Sequence, residues 1–399
     1  MTLRYSTDIV IFGGGIAGLW LLNRLKSEGY HAILLEQDEL GGGQTLASQG
    51  IIHGGLKYAL NGVLTGATNT IAGMPKRWRE CLEGNDSVDL RGTELLSEQY
   101  FMWSNSGVRS RLKTFLGSKS LRGKIEAVEK PDYPEFFKQA TVKGSLYKLP
   151  DFVISTESLL EALKKGHKES IFGISDASIE FDRDSENDIV GVELNSAKGA
   201  VSLDCQKVIF CAGSGNEALI EQAGLRTISC QRRPLNMVFV KGPHLPPLFV
   251  HCIGDSFNLT PRLTVTSHSS SEEQTVWYLG GEIAESGTNK SKDEQLNSAQ
   301  ELVAELFPWL EQENLTWDCF SVDRAEPAVN SNFRPDDAYL AEESNILVAW
   351  PTKLTLAPAL GDKVIKQLQK SSITPNSQND TSELLKILKQ PRVGTAQWN

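Results

Sequence analysis

The sequence predicts an α/β protein with two sheets, one mostly parallel and covered by helices on both faces, the other mainly antiparallel. Residues 8–36 read as a buried strand, a glycine-rich turn, a helix and a second buried strand. Apolar runs at residues 206–211 and 345–349 are each followed by a turn and a helical pattern. Residues 232–282 are instead rich in Thr, Val and aromatic residues between Pro and Gly turns, which is typical of antiparallel strands.

The segment of residues 8–36 contains a GxGxxG motif, formed by Gly13, Gly15 and Gly18, and it ends in Glu36. Gly13 permits a tight turn, Gly15 lets the backbone approach a pyrophosphate, and Gly18 lets the helix pack against the strand. The free N–H groups at the helix start attract phosphate, and Glu36 can accept hydrogen bonds from ribose hydroxyls. We therefore predict a Rossmann-like dinucleotide site. An acid at this position disfavours NADP, whereas FAD and NAD both stay open.

Composition narrows the class of partner. The chain has 399 residues, of which 40% are hydrophobic, enough for two or three domains with a real core. Its net charge of -10 without a basic stripe argues against nucleic acid and favours a small-molecule partner. The six cysteines lack metal-ligand spacing, so no metal site is predicted, and reduced thiols suggest a cytoplasmic protein. Neither a signal peptide nor a membrane span is predicted, and peripheral membrane association stays open.

A glycine-dense segment at residues 41–58 follows the second strand and ends in polar side chains. Within it, residues 52–58 (Ile-His-Gly-Gly-Leu-Lys-Tyr) resemble the IHGGLRY motif of the D-amino-acid oxidase-like FAD-dependent oxidoreductases. The motif belongs to the branch of that superfamily that contains glycerol 3-phosphate dehydrogenase and L-2-hydroxyglutarate dehydrogenase. Because the motif accompanies an N-terminal GxGxxG, the resemblance favours FAD over NAD.

Three later segments resemble the same family. Residues 206–217 are similar to its VVxAAGAWS strand, whose turn passes near the cofactor. Residues 323–327 resemble the segment that directs an arginine, in this chain Arg324, to the substrate. Residues 350–362 resemble the GGKLTT and LTLAP endings of the dehydrogenases and oxidases.

The chain also departs from the family pattern at two places. Pro351 and Thr352 stand where the family has paired glycines, and proline removes a backbone donor that could otherwise bond the flavin. Ala47 and Gln49 replace the usual basic and small polar residues in the loop before His53. These departures bear on flavin contacts, substrate choice and activity.

The resemblance implies a cofactor domain assembled from three separate segments and a substrate domain assembled from two. We assign the FAD-binding domain to residues 1–75, 150–228 and 321–370, the substrate domain to residues 76–149 and 229–320, and a C-terminal linker with a short helix to residues 371–399.

The residues expected to bind the cofactor lie in the glycine turn, after the second strand, in the following loop and in two later turns. They are Gly13, Gly15, Ile16, Ala17, Gly18, Glu36, Gln37, Gly43, Gln44, Thr45, Ser48, Gln49, Gly50, Ile52, Ala212, Gly213, Lys353, Leu354 and Thr355. The catalytic candidates are His53, Lys57, Tyr58, Arg324 and Lys353.

The resemblance implies an FAD-dependent oxidoreductase that removes a hydride from an amine- or hydroxyl-bearing carbon. In the resembling dehydrogenases the positions of Lys57, Arg324 and Lys353 face the substrate, and three cations around one cavity need an anion. We expect an amino acid, a 2-hydroxy acid or a compound like glycerol 3-phosphate. His53 is either structural, a general base, or a group that steadies the reduced flavin.

The electron acceptor (oxygen, a quinone or a carrier) stays open. Two alternative functions are an NAD-linked dehydrogenase and a non-catalytic flavin-binding protein.

Overall fold

The computed structural model of the chain describes residues 2–55, 66–105, 125–254, 261–329, 336–376 and 380–399. Within these ranges the strands form two eight-stranded sheets and one three-stranded sheet. The predicted α/β class, with one mostly parallel and one mainly antiparallel sheet, is confirmed.

The strands and helices follow one another along the whole described chain. The strands are β1 (Thr2–Phe12), β2 (Ala32–Glu36), β3 (Ile51–Ile52), β4 (Leu95–Ser97), β5 (Tyr100–Asn105), β6 (Glu126–Ala127), β7 (Gly144–Leu149), β8 (Phe152–Ile154), β9 (Ile171–Gly173), β10 (Ala177–Arg183), β11 (Ile189–Ser196), β12 (Gly199–Phe210), β13 (Cys230–Gly242), β14 (Val250–Ile253), β15 (Pro261–Ser269), β16 (Thr275–Gly280), β17 (Thr316–Pro327), β18 (Tyr339–Glu343) and β19 (Ile346–Trp350). The α-helices are α1 (Ile16–Ser27), α2 (Gly66–Leu82), α3 (Glu135–Lys138), α4 (Thr156–Lys165), α5 (Asn216–Gln222), α6 (Glu282–Ser286), α7 (Lys292–Leu306) and α8 (Ala357–Lys370). Short 3-10 turns lie at Lys130–Asp132, Lys168–Ser170, Gly213–Gly215, Leu354–Leu356 and Leu384–Lys386.

The first sheet is built around β1, which lies between β2 and β12 and runs parallel to both. Its main strand order is β10-β11-β12-β1-β2-β9, and β19 also pairs with β12 in parallel. Ile9, Val10 and Ile11 are fully buried, as expected for a strand that has helices on both faces. Helices α1, α4 and α8 cover one face and α5 packs on the other, which gives the predicted three layers.

The second sheet has the order β17-β13-β16-β15-β14-β5-β7-β6, and all its neighbours are antiparallel except β14 and β5. Helix α7 and Ile283 of α6 cover the face that carries Trp277 and Leu279, while Ala284 of α6 packs with the cluster on the opposite face. Because side chains alternate along a strand, Tyr278 lies on the opposite face, where it packs with Phe320. The predicted domain boundary at residue 321 falls inside β17, which runs unbroken through this sheet.

A small third sheet links the first two. Strand β8 begins after a two-residue connection from β7 of the second sheet, and it pairs with both β3 and β4. Ile51 lies opposite Val153 and Ile52 lies opposite Phe152. This pairing brings the residues after β3 beside the connection that precedes β8.

The C-terminal residues are docked on both large sheets. The short helix predicted near residues 384–388 is a 3-10 turn, with Leu384 and Leu388 buried against the first sheet. The ring of Trp398 lies 4.8 Å from that of Tyr278 on the second sheet. Among the described helices, none combines the length and the apolar character needed to cross a membrane.

Candidate active site

The glycine turn after β1 is shaped by close backbone contacts. Gly13 has a φ of +108°, and a Cβ there would lie 2.5 Å from the Cα of Ala212. A Cβ on Gly18 would lie 1.8 Å from the carbonyl oxygen of Gly13. A Cβ on Gly15 would meet only the hydroxyl oxygen of Thr45, at 3.2 Å. Gly13 and Gly18 are therefore required by the chain itself, whereas Gly15 borders open space that a ligand can fill.

The loop after β2 completes the N-terminus of α1. The Ile16 N–H donates to the Thr45 hydroxyl at 3.0 Å, and Ala17 is buried in the same turn. The Ser48 hydroxyl donates to the Thr45 carbonyl at 2.8 Å, which fixes the next turn of the loop. A Cβ on Gly43 would have no atom within 4 Å. The loop thus supports the helix start and leaves space beside it.

Glu36 lies at the end of β2 and its carboxylate turns back to the glycine turn. It accepts hydrogen bonds from the Gly14 N–H and, at 2.9 Å, from the Asp38 N–H. Burial raises the pKa of Glu36, and these backbone hydrogen bonds oppose the rise. The predicted neighbour Gln37 is exposed. Since FAD carries a ribose that needs an acceptor beside its pyrophosphate, the open glycine turn and this carboxylate fit FAD.

The turn after β12, which the resemblance places near the cofactor, lies against the first glycine turn. The Ala212 N–H donates to the side chain of the buried Asn216 at 2.7 Å. Gly213 has a φ of +60°, and its Cβ position lies 3.5 Å from the side-chain oxygen of Gln44. Strand β17 contacts the same turn. The structure therefore joins the glycine turn, the loop and the strand of Arg324.

Gln49, predicted to bind the cofactor, engages the second sheet. Its amide nitrogen donates to the carbonyl oxygens of Tyr278 at 2.9 Å and Thr264 at 3.2 Å. In return the Tyr278 hydroxyl donates to the Ala47 carbonyl at 2.8 Å. The two positions that depart from the family pattern thus form a contact between the loop and the second sheet. The face of the sheet that carries Tyr278 is consequently the face turned toward the glycine-rich loop.

The turn that follows β3 is held by hydrogen bonds from the backbone N–H groups of residues 53–55. The His53 N–H donates to the Thr355 hydroxyl at 3.3 Å, and that hydroxyl donates to the His53 carbonyl at 3.3 Å. The Gly55 N–H donates to Nδ1 of His53 at 3.2 Å. A neutral imidazole whose Nδ1 accepts a hydrogen bond carries its proton on Nε2. Gly50, which precedes β3, has a φ of +68°, and Ile52 within β3 is buried.

Asp151 is a site residue that the sequence interpretation missed. Its Oδ1 accepts the Gly54 N–H at 3.0 Å, and the residue is 3% exposed. Burial raises the pKa of Asp151 to about 7, and the Gly54 hydrogen bond opposes the rise. The sequence feature that could have indicated this residue is its position, an aspartate directly between two apolar strand patterns.

Arg324 lies on the face of the second sheet that is turned toward the loop. It is two residues beyond Val322, which packs on that face, and side chains alternate along the strand. Its guanidinium is 3.4 Å from the carboxylate of the half-exposed Glu285. Arg233, which the sequence interpretation did not select, lies directly opposite Arg324 across the strands, 3.7 Å from the buried Glu326.

The segment after β19 places Lys353 at the start of a 3-10 turn, followed by Leu354 and the buried Thr355. The Lys353 ammonium donates to the Asp336 carbonyl at 3.2 Å. Thr352 has a φ of +60°, a conformation that β-branched residues rarely adopt, at a position where the family pattern has glycine. Lys57 and Tyr58 lie outside the described residues.

Comparison with known proteins agrees with this geometry. The sequence model of the family described as "FAD dependent oxidoreductase" (DAO) matches residues 8–366. A protein named as a probable FAD-dependent oxidoreductase of Pseudomonas aeruginosa is 43% identical over 377 residues, which cover 94% of each chain. Its crystal structure has a TM-score of 0.84 at 38% identity and covers 100% of this chain and 99% of its own.

Two more distant structures share the fold. L-α-glycerophosphate oxidase of Mycoplasma pneumoniae, determined with FAD bound, has a TM-score of 0.66 at 14% identity, covering 94% of this chain and 98% of its own. Glycine oxidase of Geobacillus kaustophilus has a TM-score of 0.63 at 17% identity, covering 95% of this chain and 98% of its own.

Proposed function

The chain belongs to the DAO family of FAD-dependent oxidoreductases, and from this premise we propose that it removes a hydride from the amine- or hydroxyl-bearing carbon of a small anionic substrate. FAD is the cofactor, and when bound it supplies the site that accepts the hydride. The observation that carries the proposal is the position of Arg324, a guanidinium on the sheet face turned toward the glycine-rich loop.

Residues of the first sheet would hold the cofactor. The pyrophosphate would lie at Gly15, where the backbone borders open space at the N-terminus of α1. Glu36, at the end of β2, would accept hydrogen bonds from the ribose. The groups for the pyrophosphate and for the ribose thus lie side by side in the protein structure.

The second sheet would bind the anionic group of the substrate. Arg324 can grip a carboxylate or a phosphate with two parallel hydrogen bonds, because its guanidinium is planar. Its distance of 3.4 Å from Glu285, a carboxylate that is 51% exposed, marks a weak ion pair that a substrate anion can replace. Arg233 on the opposing strand adds a second guanidinium to the same face, 3.7 Å from the carboxylate of Glu326. Lys353 and Lys57 are further cations assigned by the resemblance.

His53 would act as a hydrogen-bond donor. Its Nδ1 lone pair is occupied by the Gly55 N–H, so a general base at that nitrogen would first have to lose this hydrogen bond. The proton on Nε2 suits an electron-rich oxygen of the substrate or of the reduced flavin. Of the two functional roles predicted for His53, the second is therefore the one that this geometry favours.

The carbon that is oxidised would bear either an amine or a hydroxyl group. The names of the two distant neighbours describe oxidation of a glycerophosphate and of an amino acid, both small molecules that carry an anionic group. An amino acid, a 2-hydroxy acid and a glycerol 3-phosphate-like ester each combine an anionic group with a carbon that can lose a hydride. The electron acceptor stays open, and the cytoplasmic location stays a prediction.

The test is an anaerobic reduction screen with the purified flavoprotein. Each amino acid, 2-hydroxy acid and phosphate ester is mixed with the enzyme, and the absorbance of the oxidised flavin is followed. We expect at least one anionic compound to bleach the flavin within seconds. Bleaching by uncharged amines or alcohols alone would exclude the proposed substrate class, and a flavin that no compound bleaches, although dithionite does, would indicate a non-catalytic protein.

A further inference from the structure

The turn that carries His53 is held by side chains from three different parts of the chain. Three successive backbone N–H groups donate to Thr355, to Asp151 and to the ring of His53 itself. Such a turn cannot shift at one residue without breaking a hydrogen bond at the next. The orientation of the imidazole is therefore determined by the acceptors beneath the turn.

Asp151 is the charged member of these acceptors. It lies in the connection between the second sheet and β8, and the pairing of β8 with β3 brings its carboxylate under Gly54. A Cβ on Gly54 would also lie 3.9 Å from Pro150, so the connection and the turn are packed against each other. Burial of a carboxyl group is unfavourable unless its oxygens accept hydrogen bonds, and within the described residues the Gly54 N–H is the donor to Asp151.

We propose that Asp151 is a positioning residue, whose carboxylate holds the Gly54 backbone and thereby orients the His53 imidazole for its role in the reaction. This inference rests on the proposed function, because it gives the orientation of His53 a consequence for hydride removal. Asp151 acts only through His53, and it needs no contact with substrate or cofactor.

A double-mutant cycle tests this dependence. Asp151→Leu removes the acceptor, whereas His53→Asn keeps an oxygen near the position of Nδ1 that can accept the Gly55 N–H and removes only the Nε2 donor. We expect Asp151→Leu to slow anaerobic flavin reduction about 10²-fold, the usual cost of misplacing a reacting group by about 1 Å, with KM changed less than about threefold. Introduced into the His53→Asn protein, Asp151→Leu should cost less than about threefold.

Two further variants keep the test decisive. Asp151→Asn retains an acceptor of the same reach and should keep the rate within about fivefold of wild type. Asp151→Ser is too short to reach Gly54 and replaces Asp151→Leu in the cycle if the leucine protein does not fold. Flavin content and Tm are measured for every variant, so that a loss of cofactor or of fold is separated from a loss of rate.

The outcomes separate the inference from the proposed function. If Asp151→Leu slows the His53→Asn protein as much as it slows wild type, Asp151 does not act through His53 and the inference is wrong. If His53→Asn alone leaves the rate unchanged, the proposed role of His53 fails and this inference fails with it. The proposal of an anionic substrate is judged separately, by which compounds bleach the flavin.

Discussion

Replacement of Arg324 by leucine tests the anion site with a matched control in the same pair of strands. Arg324 is 16% exposed and lies on the face turned toward the glycine-rich loop. Arg232 lies on the opposite face of the neighbouring strand, is half-exposed, and pairs with Glu217 at 2.8 Å. Both changes remove one guanidinium from the second sheet, but only the first removes it from the proposed site.

The expected loss follows from the interactions of each arginine. Removing one partner of a desolvated, hydrogen-bonded charge pair costs about 2 to 5 kcal/mol. The substrate must first displace Glu285, whose exposed pair with Arg324 contributes about 0 to 1 kcal/mol. The difference spans about 1 to 5 kcal/mol, and its central part of about 2 to 4 kcal/mol, which we expect, corresponds to about a 30- to 1000-fold lower kcat/KM. Arg232→Leu should change kcat/KM by less than about twofold, since surface changes stay within about 0.5 kcal/mol.

The assay is the second-order rate constant of anaerobic flavin reduction for wild type, Arg324→Leu, Arg324→Lys and Arg232→Leu. The lysine variant keeps the charge and loses the planar fork, so its rate constant should fall between those of wild type and Arg324→Leu. Equal rate constants for Arg324→Leu and wild type would refute the assignment of Arg324 to the substrate. Equal losses in Arg324→Leu and Arg232→Leu would instead indicate a general effect of charge on the sheet.

Three further predictions concern the cofactor and the stability of the fold. Gly15→Val should give folded protein with little bound flavin. A Cβ at this position meets only Thr45, at 3.2 Å, and the rest of the valine side chain fills the space for the pyrophosphate. Stoichiometric flavin after purification would contradict this placement. Glu36→Ala should weaken FAD binding by about 1.5 to 3 kcal/mol, or about 10- to 150-fold in Kd by fluorescence titration, as expected for lost charge-assisted hydrogen bonds. Burial raises the pKa of Asp151 to about 7 in the folded protein. Between about pH 4 and pH 7 the folded state therefore binds more protons than the unfolded state. The free energy of unfolding consequently falls as the pH rises through this range. Asp151→Asn should therefore increase the free energy of unfolding at pH 8 by a few kcal/mol and change it little at pH 4. The free energies of unfolding of the variant and of wild type are compared by denaturant titration at both pH values. If their difference does not grow with pH, this carboxyl group does not titrate as inferred.

The glycine turn and the two large sheets are features that the local sequence could predict. The contact of Gly18 with the carbonyl oxygen of Gly13 arises within one strand-turn-helix unit, so the spacing of the glycines was enough to predict it. The turn at Ala212 was predicted from a resemblance, and it does lie against Gly13 although it is far away in sequence. Patterns of apolar residues likewise predicted both large sheets, because burial on one or two faces leaves a periodic signal.

Contacts that depend on how strands and sheets pair with one another could not be predicted from the pattern of apolar residues. Gln49 was assigned to the cofactor because of its place in a glycine-rich loop, yet its amide bonds the backbone of the second sheet. The pairing of Arg233 with Arg324 depends on the register of two strands that are separated by several other elements. Asp151 and Gly54 are 97 residues apart and meet only because β8 pairs with β3. Periodicity within a segment carries no information about any of these contacts.

The charge preference of wild-type enzyme tests the central claim most directly. The rate constant of anaerobic flavin reduction is measured for the best anionic substrate and for its uncharged counterpart, such as glycerol 3-phosphate against glycerol or a 2-hydroxy acid against the alcohol that lacks its carboxylate. With Arg324 binding the anionic group, the ratio should be about 30 or more, which corresponds to the lower bound of about 2 kcal/mol for a lost charged partner. A ratio near one, or faster reduction by the uncharged compound, would contradict the proposal that this oxidoreductase acts on a small anion.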